Sequence, residues 1–512
     1  MITINTTNLR IDDYYNILFK DYKLELSSET LNKVENCYNF LNNFSKNKVI
    51  YGVNTGLGPM AQYRIETEDQ KKLQYNLIRS HSAGTGKSLE PIYVKAAMIS
   101  RLKSLSLGYS GIHSSAIKIL STLINKNIIP YIPIHGGVGA SGDLVQLSHL
   151  ALILIGEGKV YFNDEWRPTK DVFKEEGIQP LQIYLREGLG LINGTSVMSG
   201  IGMVNTIYSR KILNWSVIAS TMINEIVESF DDHFSVELNS TKQHKGQQII
   251  AKAMRSALVD SQLIKKRADS LFNGKIEEKI FKQKIQEYYS LRCVPQVIGP
   301  VIDSLNNTEK VLEDEINSVN DNPVVDVKTE HVYHGGNFHG DYVSFEMDKL
   351  KIGITKISML AERQLNFLMN SKLNEILPPF VNLGTLGLNL GLQGTQFTAT
   401  STTAENQVLS NPMYIHSIPN NNDNQDIVSM GTNAALLTKQ VIDNTFEVLA
   451  IEFLAIIQSI DYLQNKDKLS SFTRNIYDKL RSIVPVFTND TPKYEEIDSI
   501  IKHLRNNNPD II

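Results

Sequence analysis

Cysteine and tryptophan are scarce, with two of each in 512 residues. Cys37 and Cys293 lie far apart in the chain and form no pair with metal-ligand spacing, which suits a reducing compartment, and neither reads as a nucleophile. No sign of charge dominates: 51 basic against 55 acidic residues leave a formal net charge of -4, so nothing asks for nucleic acid or a membrane surface. Long uninterrupted apolar runs are missing too. The most apolar stretch, Ala434 to Leu463, is broken by Lys439, Asp443, Glu447, Glu452 and Asp461, too often for a membrane span. Met1 to Tyr15 holds Asn5, Asn8, Asp12 and Asp13 instead of a basic patch followed by an apolar run, so no signal peptide is expected. Internal repeats are absent, and the one compositionally odd tract, Asn420-Asn421-Asn422-Asp423-Asn424, reads as a polar loop. These absences leave a cytoplasmic enzyme as the expectation.

What the chain does have is helical periodicity interrupted by glycine-rich turns. Helices are expected over about Ser28 to Ser45, Glu66 to Arg79, Pro91 to Leu107 and Ser115 to Ile124, and after Thr195 to about Phe230. Leu144 to Ile155 is apolar on nearly every side, which marks a buried helix. Met347, Leu350, Ile354, Ile357, Ala361, Leu365 and Leu368, spaced by threes and fours, predict a long core helix in a bundle, and Ala434 to Leu463 predicts a second. Gly156 to Thr169 reads as a small hairpin about Asn163-Asp164, and Val324 to Val327 as a short extended segment. The Lys-rich stretch Asn239 to Lys284 reads as solvated helices with a loop around Asn273-Gly274. Four turns are too rich in glycine or small residues for helix: Tyr51 to Pro59, Ser80 to Gly86, Gly188 to Thr195 and His334 to His339. Loops on rigid scaffolds often carry function.

The stretch His135-Gly136-Gly137-Val138-Gly139-Ala140-Ser141-Gly142-Asp143 joins four glycines to a lone hydroxyl and runs into the apolar helix. Glycine relieves the Cβ constraint, so the amide nitrogen of Gly142 can attack the carbonyl carbon of Ala140 and, on loss of water, close a five-membered ring. Loss of the Ser141 hydroxyl as a second water leaves an exocyclic methylidene conjugated with that ring, an electrophile made without added cofactor. Ala-Ser-Gly alone is a common tripeptide, and its ordinary role is a turn before a helix.

Gly-Gly-Val-Gly-Ala-Ser-Gly-Asp-Leu resembles the prosthetic-group signature of the aromatic amino acid ammonia-lyases, the histidine, phenylalanine and tyrosine lyases with their aminomutase relatives. The resemblance covers the chain from about Tyr51 to Met430 and departs at Gln146, where many members carry proline. It implies a mainly α fold, an elongated helical bundle of the ammonia-lyase (fumarase/aspartase-like) type with minor short β segments. It divides the chain into an N-terminal domain bearing the prosthetic group (1–200), a central long-helix bundle (201–480) and a C-terminal helical tail (481–512). The implied group is a methylidene-imidazolone (MIO) formed from Ala140, Ser141 and Gly142, with no metal, nucleotide or pyridoxal group.

In the same resemblance Tyr51 is the catalytic base, a role that needs donors or positive potential to stabilise its phenolate. Asn193 and Tyr289 orient the ring and the substrate. Arg292 holds the substrate carboxylate with a two-pronged guanidinium, and Gln286 and Phe338 line the pocket. The amides of the helix after Asp143 are expected to face the ring and stabilise charge developing there. The substrate amine adds to the methylidene carbon, Tyr51 takes the β-proton, and ammonia leaves behind a trans-2-enoic acid. Related members are homotetramers whose sites combine loops from three subunits.

Two positions speak to the substrate. His81 falls where the family reads the side-chain ring and can hydrogen-bond a phenol or an imidazole, whereas a phenylalanine ring would strand it. Gln425, in Asn424-Gln425-Asp426, stands where histidine lyases carry a glutamate. Together they resemble bacterial tyrosine ammonia-lyases, which implies conversion of L-tyrosine to trans-4-coumarate. Histidine ammonia-lyase and tyrosine 2,3-aminomutase are the alternatives. A ring-free helical lyase of the fumarase or argininosuccinate-lyase type and an inert helical scaffold are the other classes, and neither needs Ala140-Ser141-Gly142 beside Tyr51 and Arg292.

Overall fold

Helix starts and stops follow local chemistry in this computed structural model, which describes residues 1–5, 7–272, 279–281 and 284–512. The helix Ser28–Phe44 begins where the Ser27 hydroxyl accepts from the Thr30 amide, and Pro91 opens Pro91–Ser106 at a position where its missing N–H costs nothing. The helix expected from Glu66 starts only at Gln70 and ends at His81, because 66–69 closes a turn in which the Asp69 amide donates to the Glu66 carbonyl at 3.0 Å. Leu144–Leu154 is a buried helix, as its composition implies. The expected loop around Asn273-Gly274 lies outside the described residues.

Two compact units divide the chain. The first takes Met1–Ile207, Thr308–Asp348 and Pro412–Thr438; the second takes Tyr208–Asn307, Lys349–Asn411 and Lys439–Ile512. The domain boundaries expected at 200/201 and 480/481 fall inside the helices Ser196–Ile226 and Ser471–Ile483.

In the first unit the described strands are short accessories to the helices. Ile2–Ile4 pairs in parallel with Leu24–Leu26, and Val324–Asp326 pairs antiparallel with His331–Tyr333. The hairpin Lys159–Phe162/Glu165–Pro168 turns through Asn163 and Asp164, both at positive φ, and gains Ile129–Pro130 as a third strand. Thr85–Ser88 lies antiparallel to Pro133–His135, which brings the Ser80–Gly86 turn beside the chain entering the Ala-Ser-Gly stretch.

The second unit holds the packed middles of the long helices. Trp215 is buried, donates from Nε1 to the Leu504 carbonyl at 3.0 Å and meets Phe453 edge to face. Leu350, Ile354, Ile357, Ala361, Leu365 and Leu368 are all buried, as their spacing predicts. No helix among the described residues is long and apolar enough to cross a membrane. The architecture is mainly helical with a few short strands.

Candidate active site

A cavity of about 750 Å³ in the first unit gathers the glycine-rich turns. Tyr51, His81, Ser141, Asn193, Phe338 and Gln425 all line it, so six of the residues singled out from the sequence share one space. Leu57, Met60, Leu73, Leu77, Leu144 and Leu189 give it an apolar wall. No Lys, Arg, Asp or Glu is among its lining residues.

The Ala140-Ser141-Gly142 stretch is held by its backbone. The Asp143 amide donates to the Gly194 carbonyl at 2.8 Å, and the Gly340 amide and Ser429 hydroxyl donate to the Gly139 carbonyl at 3.2 and 2.8 Å. Gly142, at φ +70°, lies so close to Gly194 that a Cβ on it would come within 1.9 Å of the Gly194 carbonyl oxygen. Only glycine fits, which keeps the Gly142 amide free of a neighbouring side chain. The Ser141 carbonyl receives Asn193 Nδ2 at 3.1 Å and the Gly194 amide at 3.4 Å. In a ring closed from these three residues that carbonyl becomes part of the conjugated system, so two donors aimed at it favour negative charge developing there. The Ser141 hydroxyl accepts from Gln425 Nε2 at 2.9 Å and faces the cavity. The stretch therefore fits the expected group in its glycine cradle, its donors and its exposed hydroxyl. The donors on the Ser141 carbonyl come from Asn193 and Gly194.

Tyr51 heads a loop whose tightness comes from Gly52 and Gly58, both at positive φ. The Gly58 amide donates to Tyr51 Oη at 3.0 Å. Gln74, wholly buried, donates to the Gly52 carbonyl at 3.0 Å and accepts from the Leu189 amide at 2.9 Å, tying the Tyr51 loop to the turn that carries Asn193. Asn193 Oδ1 accepts from the Asn322 amide at 2.8 Å, which fixes its amide face toward Ser141.

His81 ends its helix with Nδ1 at 3.1 Å from the Leu77 carbonyl. The Ser80 hydroxyl lies 3.0 Å from the same nitrogen, and the tautomer in which Nδ1 donates to the carbonyl leaves Nε2 as an acceptor. Burial lowers the His81 pKa and favours this neutral form. Nε2 has no partner among the described residues.

Behind the stretch, Asp143 is fully buried and accepts from the Val197 and Met198 amides at 2.8 and 2.9 Å and from the Thr432 hydroxyl. It thereby caps the helix Ser196–Ile226. Burial pushes its pKa up to about 6 against those donors.

Tyr289, Gln286 and Arg292 belong to the second unit, where they are brought together with one another. Gln364 Nε2 donates to the Ser290 carbonyl at 2.8 Å and Asn224 Nδ2 to the Leu291 carbonyl at 3.3 Å, fixing the turn Tyr289–Arg292. The Arg292 guanidinium stacks 4.7 Å from the Tyr289 ring centre and donates to Gln286 Oε1. Tyr289 is 72 % exposed. Gln286 lines a second cavity of about 600 Å³ beside Tyr289 and Phe367, not the one that holds Ser141.

Sequence reasoning missed Gln74, Asn322, His334 and Asn421. His334, whose Nε2 accepts from the Tyr51 amide at 3.4 Å, stood in the motif His-Gly-Gly-Asn-Phe-His, and the asparagine tract signalled only a loop. Gln74 looked like any polar helical residue.

The aromatic amino acid lyase family model matches residues 9–482. Tyrosine 2,3-aminomutase of Myxococcus fulvus is 39% identical over 490 residues, covering 94% of this chain and 92% of that protein. A probable histidine ammonia-lyase of Thermoplasma volcanium is 37% identical over 508 residues, covering 99% of each. Among solved structures, the phenylalanine aminomutase of Pantoea agglomerans superposes with a TM-score of 0.94 at 33% identity, covering 99% of both chains. With a glycine-cradled Ala-Ser-Gly facing a tyrosine-bearing loop, and with these relatives along its whole length, the chain belongs to the aromatic amino acid lyase family and is an enzyme of carbon–nitrogen lyase chemistry.

Proposed function

We propose that the protein deaminates L-tyrosine to trans-4-coumarate and ammonia. The observation that carries this reading is His81, which lines the same cavity as Ser141 and, in the tautomer that donates from Nδ1 to the Leu77 carbonyl, offers Nε2 as an acceptor for a phenol hydroxyl. Leu73 and Leu77 give a ring an apolar surface, and Gln425, an amide, supplies no charge to pair with an imidazolium. A methylidene-imidazolone built from Ala140, Ser141 and Gly142 supplies the electrophile that turns the substrate amine into a leaving group. Asn193 Nδ2 and the Gly194 amide stabilise charge on the Ser141 carbonyl, and Tyr51 Oη, supported by the Gly58 amide, takes the β-proton.

The substrate carboxylate needs a cation, and none lines the cavity. Arg292, preset by Tyr289 and Gln286, fills that role from a neighbouring copy in a homotetramer.

A second reading is favoured by the tyrosine 2,3-aminomutase relatives: the same residues return ammonia to the β-carbon. Incubating purified protein with L-tyrosine, L-histidine and L-phenylalanine separately and identifying products by mass spectrometry separates these. Coumarate is expected. β-Tyrosine as the main product would move the assignment to the aminomutase, and urocanate from histidine without coumarate would overturn the tyrosine reading.

A further inference from the structure

The loop Asn420–Gln425 has an unusual backbone. Asn421, Asn422 and Asp423 stand consecutively at φ 56°, 53° and 58°. Asparagine and aspartate are the side chains that best tolerate this left-handed region, and three in a row still cost conformational energy. The loop is closed by paired backbone bonds, Asn420 amide to Gln425 carbonyl at 3.1 Å and Gln425 amide to Asn420 carbonyl at 3.3 Å. A strained turn of this kind persists where its side chains have to be aimed.

Its two ends meet the two halves of the chemistry. At one end Gln425 Nε2 donates to the Ser141 hydroxyl at 2.9 Å. At the other, the Asn421 side chain lies over Gly58: a Cβ on Gly58 would fall 3.0 Å from Asn421 Nδ2 and 3.4 Å from its Oδ1. Gly58 is the residue whose amide holds Tyr51 Oη. Asn421, Asn424 and Gln425 all line the cavity.

We infer that the loop Asn420–Gln425 is a spacer that sets the position of the Tyr51 hydroxyl relative to Ser141, with Asn421 as a positioning residue acting through Gly58. The inference rests on the reading of Tyr51 as base. Asn421 acts through Gly58 and makes no hydrogen bond to Tyr51 or Ser141 among the described residues. It stops the Gly58–Tyr51 contact from drifting, and the left-handed turn fixes where Asn421 and Gln425 stand relative to each other.

A double-mutant cycle tests this. Asn421→Gly keeps the left-handed backbone and removes the side chain; Gly58→Ala adds a methyl that Asn421 crowds and strains a backbone at φ +55°; the double variant relieves the crowding alone. Each single change is expected to lower kcat about tenfold with KM for the amino acid nearly unchanged, as a small misplacement of a base does. In Asn421→Gly the β-deuterium isotope effect on turnover should rise, because proton removal becomes slower. Near-ultraviolet absorbance of the group at Ala140–Gly142 and the thermal unfolding midpoint should stay at wild-type values. The double variant should be no worse than the poorer single one, since the two residues act on one contact.

Multiplied losses in the double variant, or a wild-type isotope effect in Asn421→Gly, would overturn the positioning role while leaving Tyr51 as base. Loss of the near-ultraviolet absorbance in Asn421→Gly would overturn it as well, by placing the defect in group formation. Tyr51→Phe run alongside separates the two readings: near-native turnover there removes the base, and the spacer with it.

Discussion

Gln425 Nε2 donates to the Ser141 hydroxyl at 2.9 Å, so one of the two oxygens that group formation must expel is already held from the cavity side. Ser141→Ala is expected to keep the fold but lose near-ultraviolet absorbance and the mass deficit of two waters, with turnover down at least about a thousandfold. Intact-mass spectrometry of wild type and variant checks it. A wild-type mass equal to that of the uncyclised chain, together with normal activity, would sink the prosthetic group.

Arg292 stacks on Tyr289 and donates to Gln286, a geometry that depends on a planar fork. Arg292→Ala should lower kcat/KM between about tenfold and a hundredfold, and Arg292→Lys should recover little of it, because an ammonium cannot reproduce two parallel hydrogen bonds. Steady-state kinetics on both variants decide the matter. Wild-type-like values for the lysine variant would remove Arg292 from carboxylate binding.

On the proposed reading His81 Nε2 is the one acceptor for a ring hydroxyl. His81→Phe should move the ratio of kcat/KM for tyrosine over phenylalanine toward phenylalanine by roughly 5- to 150-fold, the range set by losing one buried hydrogen bond. An unchanged ratio would show that the ring is read elsewhere.

Asp143 has its folded-state pKa raised to about 6 from 3.8, chiefly by burial. A carboxyl raised in this way contributes stability that is present below about 4 and is lost as pH rises through about 6. Relative to Asp143→Asn, which does not titrate, wild type should therefore lose about 3 kcal/mol of unfolding free energy between those limits. Denaturant unfolding of both proteins at a series of pH values measures the difference. A gap that stays constant, or widens in favour of wild type, would contradict the burial argument.

Much of the fold was legible because periodicity records which face is buried: Ile354, Ile357 and Ala361 were spaced for a core, and they are in it. The start of Gln70–His81 was misplaced because Glu66 to Asp69 has helical composition but closes a turn first. The Ala-Ser-Gly chemistry was legible because it is local, carried by residues adjacent in sequence. The donors on the Ser141 carbonyl were not, since Asn193 and Gly194 reach it across 52 and 53 positions and only the folded chain sets that register. The asparagine tract was read as a loop, but which side chain a left-handed turn aims at Gly58 depends on three consecutive φ values that composition does not contain.

The cavity around Ser141 has a wall without a formal charge, and burial favours the neutral forms of His81 and His334 within it. An amino acid enters as a zwitterion, and such a wall returns nothing to its carboxylate. If, as proposed, Arg292 comes from a neighbouring copy, a completely folded chain is only half of an active centre, and catalysis becomes a property of concentration. On that reading, protein diluted far enough would keep its helices and lose its hold on substrate.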